Sequence, residues 1–183
     1  KVWIPKTVTA IGKEAFANTS ALQEIQIEDG NEYFTVMNGC LIRLNDKCLL
    51  RGTNNASIPD GFVSSLDTHT FSGLSDIQSI VIPDAVDTIP PYFAINCKKL
   101  DNIRFPANLR SIGSQAFNSC NSLTSLTIRA TTPPSLLNTN ALSYTNNCPI
   151  YVPVGAADAY RSALGILFSY RVTDKVEPYL AKF

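Results

Sequence analysis

The sequence predicts a β-rich solenoid of stacked repeats, each about 23 residues long. Three observations predict this fold class: fixed offsets between apolar residues, one apolar position that returns along the chain, and a strand-like alternation ending each unit. The chain has 183 residues, of which 45% are apolar, and this is enough for one folded domain with a sizeable core.

The fixed offsets are the first observation. From Ile11, apolar residues follow 11, 14 and 16 residues later. Four units share these offsets: Ile11 with Leu22, Ile25 and Ile27; Leu66 with Ile77, Ile80 and Ile82; Ile89 with Leu100, Ile103 and Phe105; Ile112 with Leu123, Leu126 and Ile128.

The second observation is that the apolar position of Ile4 recurs at Ile27, Ile58, Ile82, Phe105, Ile128 and Val152. The steps are 23, 31, 24, 23, 23 and 24 residues. The sequence therefore predicts about six coils, one of which carries an insertion of about eight residues.

The third observation is the pattern Leu-x-x-Ile-x-Ile, whose last residues alternate as a strand requires. One such strand cannot bury its apolar face alone, so stacked units should form a parallel sheet in a right-handed solenoid with short turns and 3-10 segments. The Val-x-x-Ile-Gly run should return along the other wall, and the Ala-Phe pair should fill the core. One unit has the reversed order Phe93-Ala94, which keeps the volume and indicates packing.

The repeat Ile-Pro-x-x-Val-x-x-Ile-Gly-x-x-Ala-Phe-x-x-Cys-x-x-Leu-x-x-Ile resembles the BspA-type leucine-rich repeats of bacterial and some protozoan proteins. The unit from Phe105 to Leu126 matches nearly every position, and the resemblance covers about residues 2–172. It implies a leucine-rich-repeat solenoid and a cell-surface or secreted location. It further implies binding of a protein or glycan, since some members are adhesins.

The insertion, at about residues 33–52, predicts a β-hairpin with its turn at Asn45-Asp46, which projects from or packs along one edge of the solenoid. In this register Arg43 faces Cys48. The cysteines Cys40 and Cys48 then lie on opposite faces, so we expect no disulfide between them.

The expected domain organisation is residues 1–153 as repeats and residues 154–183 as a C-terminal cap and tail. The segment around Tyr160 is helical in composition, and a helix there would close the end of the core. The first repeat begins at Lys1 with no matching cap, so we expect further chain on the N-terminal side, or a partner at that face.

The composition bears on function. Lys+Arg and Asp+Glu are equal at 15 each, which argues against nucleic-acid binding. The sequence contains no apolar window of 18 residues, so it predicts no membrane span. It also contains no CxxC pair, so it predicts no zinc site. We expect no cofactor and no metal.

Few residues suggest catalysis. His69 is the sole histidine, and it is expected to be a solvated turn residue rather than part of a catalytic triad. Cys97 and Cys120 occupy the same repeat position, which predicts core packing, with a disulfide between adjacent coils as the alternative. A cluster of carboxylates is expected to be a solvated patch, with calcium binding as the alternative: Glu24, Glu28, Asp29 and Glu32.

The candidate binding surface is the outer face of the sheet, because solenoids present such extended faces to partners. Its expected residues are Glu24, Gln26, Ser79, Val81, Asn102, Arg104, Ser125 and Thr127. An ordinary solvated strand surface is the alternative. The sequence thus favours a non-catalytic module that binds protein or glycan, with a structural spacer and an enzyme as the other hypotheses.

Overall fold

The protein, described by a computed structural model, is a β-solenoid of about seven turns with parallel sheets and one short helix. The structure describes residues 1–17, 19–136, 139–165 and 168–175. The described strands are β1 (Val2–Ile4), β2 (Ile25–Ile27), β3 (Phe34–Met37), β4 (Cys40–Arg43), β5 (Cys48–Gly52), β6 (Ser65–Leu66), β7 (Ser79–Val81), β8 (Thr88–Ile89), β9 (Asn102–Phe105), β10 (Ser111–Ile112), β11 (Ser125–Ile128), β12 (Ser135–Leu136), β13 (Ile150–Tyr151) and β14 (Val172–Thr173). The helix α1 spans Ala157–Leu164, and two 3-10 helices span Thr139–Leu142 and Ser169–Arg171.

The main sheet has the order β14-β13-β11-β9-β7, and its strands are parallel. Its inward residues stack in one row: Ile80, Ile103, Leu126, Ile150 and Val172. All five are buried, so each coil covers the apolar face of the next one. The predicted ladder is confirmed here, and β14 adds a coil beyond the six expected.

The second wall carries a short parallel sheet of order β12-β10-β8. The Ala-Phe positions are buried between the two walls in the repeats of Phe71, Phe93 and Phe117. The expectation is wrong in the first repeat, where Ala15 is exposed and Phe16 is half-buried. The Phe93 ring packs edge-on against Phe71 and Phe117, with ring centroids 5.3 and 5.9 Å apart. Phe93 and Ala94 are both fully buried, so the reversed pair still fills the core.

The insertion forms more structure than one hairpin. Strand β4 pairs antiparallel with β3 on one side and with β5 on the other. Strand β5 in turn pairs with β6, in the parallel direction. The predicted pairing of Arg43 with Cys48 is confirmed. The prediction omitted a second tight turn, at Asn38-Gly39, where both residues are left-handed with φ of 49° and 73°.

The wall that contains the main sheet is interrupted at the coil that follows the insertion. Strands β1 and β2 form their own pair, and residues 53–58 form no strand between β2 and β7. The Ser57 amide donates instead to the Asn38 carbonyl at 3.0 Å, and the Cys40 thiol donates to the Ser57 carbonyl at 3.5 Å. The expectation that every unit contributes a strand to one continuous sheet is therefore wrong at Ile58.

A buried arginine connects the coils across this interruption. The Arg51 side chain is almost fully buried and donates hydrogen bonds to the carbonyls of Thr19, His69, Thr70 and Ser72 at 2.8–3.3 Å. Burial lowers the pKa of the Arg51 guanidinium to about 10. The carbonyls of Thr19, His69 and Thr70 also accept backbone amides, whereas that of Ser72 has Arg51 as its donor.

The helix α1 closes the C-terminal side of the core, as its composition predicts. Tyr160 and Leu164 are buried one turn apart, and the Tyr160 hydroxyl donates to the Ala130 carbonyl at 2.7 Å. Strand β14 follows the helix and pairs with β13. The division of the chain at residue 153 stays a prediction, and its last residues lie outside the described part.

Candidate binding surface

The outer face of the main sheet presents two rows of side chains in register. One row runs through Val81, Arg104 and Thr127, and it continues to Tyr151 and Thr173. Adjacent strands in a sheet are about 4.8 Å apart, so these side chains are immediate neighbours. The sequence prediction omitted Tyr151 and Thr173, although Tyr151 immediately follows the inward Ile150.

The second row is shorter and less accessible. It pairs Ser79 with Asn102, and Asn102 with Ser125. Ser79 is exposed and Asn102 is half-buried, but Ser125 is only 8% exposed. The expectation that Ser125 is accessible is wrong, because its short side chain lies on an interior strand between two neighbouring strands.

Glu24 and Gln26 lie on a separate patch formed by β1 and β2. The register places Gln26 beside Trp3, whose side chain is 57% exposed. Glu24 lies 3.4 Å from the Lys1 ammonium and accepts a hydrogen bond from the Gln26 amide. The structure thus divides the eight candidate residues between two patches, and Trp3 is the accessible aromatic residue that the sequence prediction omitted.

The outer face of the main sheet carries charges of both signs. Arg129 donates to Asp84 at 2.8 Å, and the Ala107 amide donates to the same oxygen at 3.1 Å. The hydrogen bond from the Ala107 amide lowers the pKa of Asp84 below its ordinary value, and the hydrogen bond from Arg129 lowers it further by a smaller amount. Arg104 is half-buried, and its Nε is a buried donor with no hydrogen-bond partner in the described part of the chain.

The family follows from the match of the chain to a repeat profile. The BspA type leucine rich repeat region matches residues 1–40 and 46–149 in six copies. The chain belongs to the BspA-type leucine-rich repeat family. A comparison with curated proteins gave no match.

Solved structures support the same fold for this BspA-type chain. The pneumococcal vaccine antigen PcpA has a TM-score of 0.62 at 18% identity, covering 96% of this chain and 56% of that one. A leucine-rich cell surface protein from Faecalibacterium prausnitzii has a TM-score of 0.61 at 21% identity, covering 90% and 50%. A leucine-rich repeat protein from Eubacterium ventriosum has a TM-score of 0.65 at 25% identity, covering 84% and 42%. The chain therefore spans about half the length of these structures.

His69 occupies a turn position that recurs in the BspA-type repeat. Glu14, His69, Tyr92 and Gln115 are equivalent residues, and all are left-handed with φ between 54° and 60°. The His69 ring stacks on Tyr92 at 5.0 Å, and its Nδ1 lies 3.8 Å from a Glu14 carboxylate oxygen. The expectation of a solvated histidine is wrong, because only 19% of this side chain is exposed.

The cysteines behave as core residues. All five are free and buried, which excludes both the Cys97–Cys120 pairing and a Cys40–Cys48 disulfide in this structure. The thiols of Cys97 and Cys120 donate to the carbonyls of Phe71 and Ala94 in neighbouring coils, at 3.0 and 3.1 Å. Burial raises the pKa of the Cys97 thiol to about 12, which is the opposite of what a nucleophile requires.

The carboxylates near the first strands do not converge on one point. Glu24 pairs with Lys1, and a Glu28 oxygen accepts the Lys6 amide at 3.0 Å. Among the residues that the structure describes, no group of three His, Cys, Asp or Glu side chains is placed to hold a metal ion. In the same residues, no helix is long and apolar enough to cross a membrane.

Proposed function

We propose that this chain is a non-catalytic repeat module of a cell-surface or secreted protein, and that its outer sheet face binds a protein partner. The row of Val81, Arg104, Thr127 and Tyr151 carries this proposal, because one outward residue per coil produces a wide surface of fixed geometry. Family membership supports a repeat module, and the name of the Faecalibacterium relative supports a surface location.

The composition of the row suits a protein partner. Arg and Tyr are common anchors of protein interfaces, and Val81 is 54% exposed at the edge of the sheet. Arg104 is half-buried, so part of its side chain is accessible to a partner. The strand pairing fixes the spacing of these positions along the backbone, so a partner meets a surface that needs no backbone rearrangement.

The test is adhesion of protein-coated beads to a layer of epithelial cells. We expect Arg104→Glu to reduce bead adhesion at least tenfold, since a reversed charge at an interface centre costs more than about 1.4 kcal/mol. The matched control is Arg110→Glu, because Arg110 is highly exposed immediately before β10 on the other wall. Equal adhesion of wild type and both variants would contradict the proposal.

A structural spacer is the second candidate, and the share of the solved structures that this chain covers favours it. The chain matches between 42% and 56% of each longer protein, so such repeats occur within larger chains. A spacer predicts that Arg104→Glu leaves adhesion unchanged, whereas deletion of whole coils from the full-length protein abolishes it.

A further inference from the structure

An open cleft lies at the turn edge of the last coils, away from the outer sheet face. Ser119, Asn121, Tyr144 and Asn146 line it, and its volume is about 380 Å³. Small-ligand sites are commonly about 300–1,000 Å³, so the cleft has room for one or two sugar rings. None of the four lining residues is charged.

The cleft walls are held rigidly by hydrogen bonds between turns. The Ser119 amide donates to the Ser143 carbonyl at 3.0 Å, and the Thr145 hydroxyl donates to the Leu142 carbonyl at 2.8 Å. With the nitrogen of its side-chain amide turned toward the neighbouring carbonyls, Asn121 donates to the Tyr144 carbonyl at 2.8 Å. The backbone of Tyr144 is left-handed, with φ of 57°.

Two accessible tyrosines accompany these amides. Tyr144 is 75% exposed, and Tyr170 is 66% exposed. The Tyr170 hydroxyl donates to the Asn147 side-chain oxygen at 2.8 Å, which holds it beside the turn that carries Tyr144. Aromatic rings that stay solvated on a rigid turn are available to a ligand at little entropic cost.

We propose that this cleft binds an uncharged oligosaccharide, with a sugar ring packed on the Tyr144 ring. The C–H face of a sugar is apolar and fits an aromatic face, while its hydroxyls pair with amide and hydroxyl groups such as those of Asn146 and Ser119. The exposed surface of the cleft is mostly apolar, as packing against the C–H face of a sugar requires, and its four lining side chains are all uncharged. An anionic ligand would want Arg or Lys, which the lining lacks.

This site is distinct from the outer sheet face, so it does not depend on the proposed function above. Arg104→Glu should leave sugar binding unchanged, and Tyr144→Ala should leave any contact through the sheet face unchanged. The two proposals can therefore fail separately.

The test is saturation-transfer NMR of the protein with maltotriose, cellotriose, N,N′,N″-triacetylchitotriose and galactotriose, followed by titration of each one that binds. We expect at least one neutral trisaccharide to bind. Tyr144→Ala should weaken this binding at least tenfold, while Tyr144→Phe, which keeps the ring, should stay within about threefold. The matched control is Tyr33→Ala, since Tyr33 is 46% exposed just before β3 and far along the chain from the cleft.

Circular dichroism melting identifies any variant that fails to fold. In that case Asn146→Gly replaces Tyr144→Ala as the test of the cleft, because it removes a lining side chain at a left-handed position that glycine adopts without strain. Saturation transfer to none of the four trisaccharides would overturn the proposal. Equal weakening by Tyr33→Ala and Tyr144→Ala would also overturn it, as would binding only of sulfated or sialylated glycans on an array.

Discussion

Replacement of Gly113 by alanine tests the close stacking of coils in the second wall. A Cβ added at Gly113 would lie 2.4 Å from the Pro91 nitrogen and 2.6 Å from the Pro90 carbonyl carbon. These are backbone atoms of the preceding coil, so no side chain can rotate away. Gly12 occupies the same position of the first repeat, and a Cβ there would have no atom within 4 Å.

The structure indicates the magnitude of the effect. Ordinary contacts of a Cβ begin at 3.4 Å, so the coils would have to separate by about 1 Å at Gly113. Hydrogen bonds hold the separation on both sides: Gly113 N to the Ile89 carbonyl at 2.8 Å, and Tyr92 N to the Ser114 carbonyl at 3.0 Å. Overpacking together with a weakened hydrogen bond should cost about 2–4 kcal/mol.

The assay is urea unfolding followed by far-UV circular dichroism. We expect Gly113→Ala to reduce the free energy of unfolding by that amount. Gly12→Ala should leave it unchanged or raise it by up to about 1 kcal/mol, because alanine restricts the unfolded chain. The reasoning would be refuted if the two variants differed by less than about 0.5 kcal/mol, the range of ordinary surface substitutions.

Three further predictions concern buried polar groups. Arg51→Met should reduce the free energy of unfolding by about 3 kcal/mol in urea titrations, because the Ser72 carbonyl loses its donors. The free energy of unfolding of Arg51→Lys should lie between those of the wild type and Arg51→Met. An unchanged urea midpoint of Arg51→Met would contradict this. Cys97 should resist the thiol reagent DTNB at pH 8 in native protein and react fully in guanidinium, since raising its pKa from 9.0 to about 12 lowers the thiolate fraction roughly 1,000-fold; fast native labelling of Cys97, located by peptide mapping, would count against its burial. Tyr160→Phe should lower stability by about 1–2 kcal/mol through the unpaired Ala130 carbonyl, and a neutral result in thermal unfolding would show that the hydroxyl is dispensable.

The repeat could be predicted from the sequence because its spacing determines which side chains share a face. The fixed offsets place Ile80, Ile103 and Leu126 at the same strand position, and the structure aligns all three in one buried row. The outward positions follow from the same alternation, which is why Val81 and Arg104 were found without a structure.

The interruption at Ile58 could not be predicted from local pattern. Ile58-Pro59 keeps the repeat signature, but the Ser57 amide pairs with the Asn38 carbonyl and residues 53–58 form no strand. The Asn38-Gly39 turn itself has a strong sequence signal, since both residues favour the left-handed conformation that a two-residue hairpin turn needs. Strand β14 has no such signal, because it is only two residues long and follows the helix.

For the candidate sites too, the sequence pattern predicts some features, and others depend on contacts between residues that are distant in the chain. Strand alternation identifies outward positions but does not give accessibility, so Ser125 was assigned to the exposed surface although it is buried. The cleft beside Tyr144 combines turns of two coils, and although Asn121 and Tyr144 are 23 residues apart, its residues share no motif that predicts a binding site. Only the fold brings Asn121 and Tyr144 into contact.

Amide hydrogen exchange measured by NMR tests the central claim most directly, namely that parallel coils stack in the described register. In this register the Ile82 amide donates to the Arg104 carbonyl at 2.9 Å, whereas alternation in a parallel ladder turns the Val81 amide toward the open edge of β7. The account predicts that the Ile82 and Gly113 amides exchange at least 100-fold more slowly than that of Val81, a difference of about 2.7 kcal/mol in opening free energy. Equal protection of Val81 and Ile82, or rapid exchange at Gly113, would contradict the register on which both proposed surfaces depend.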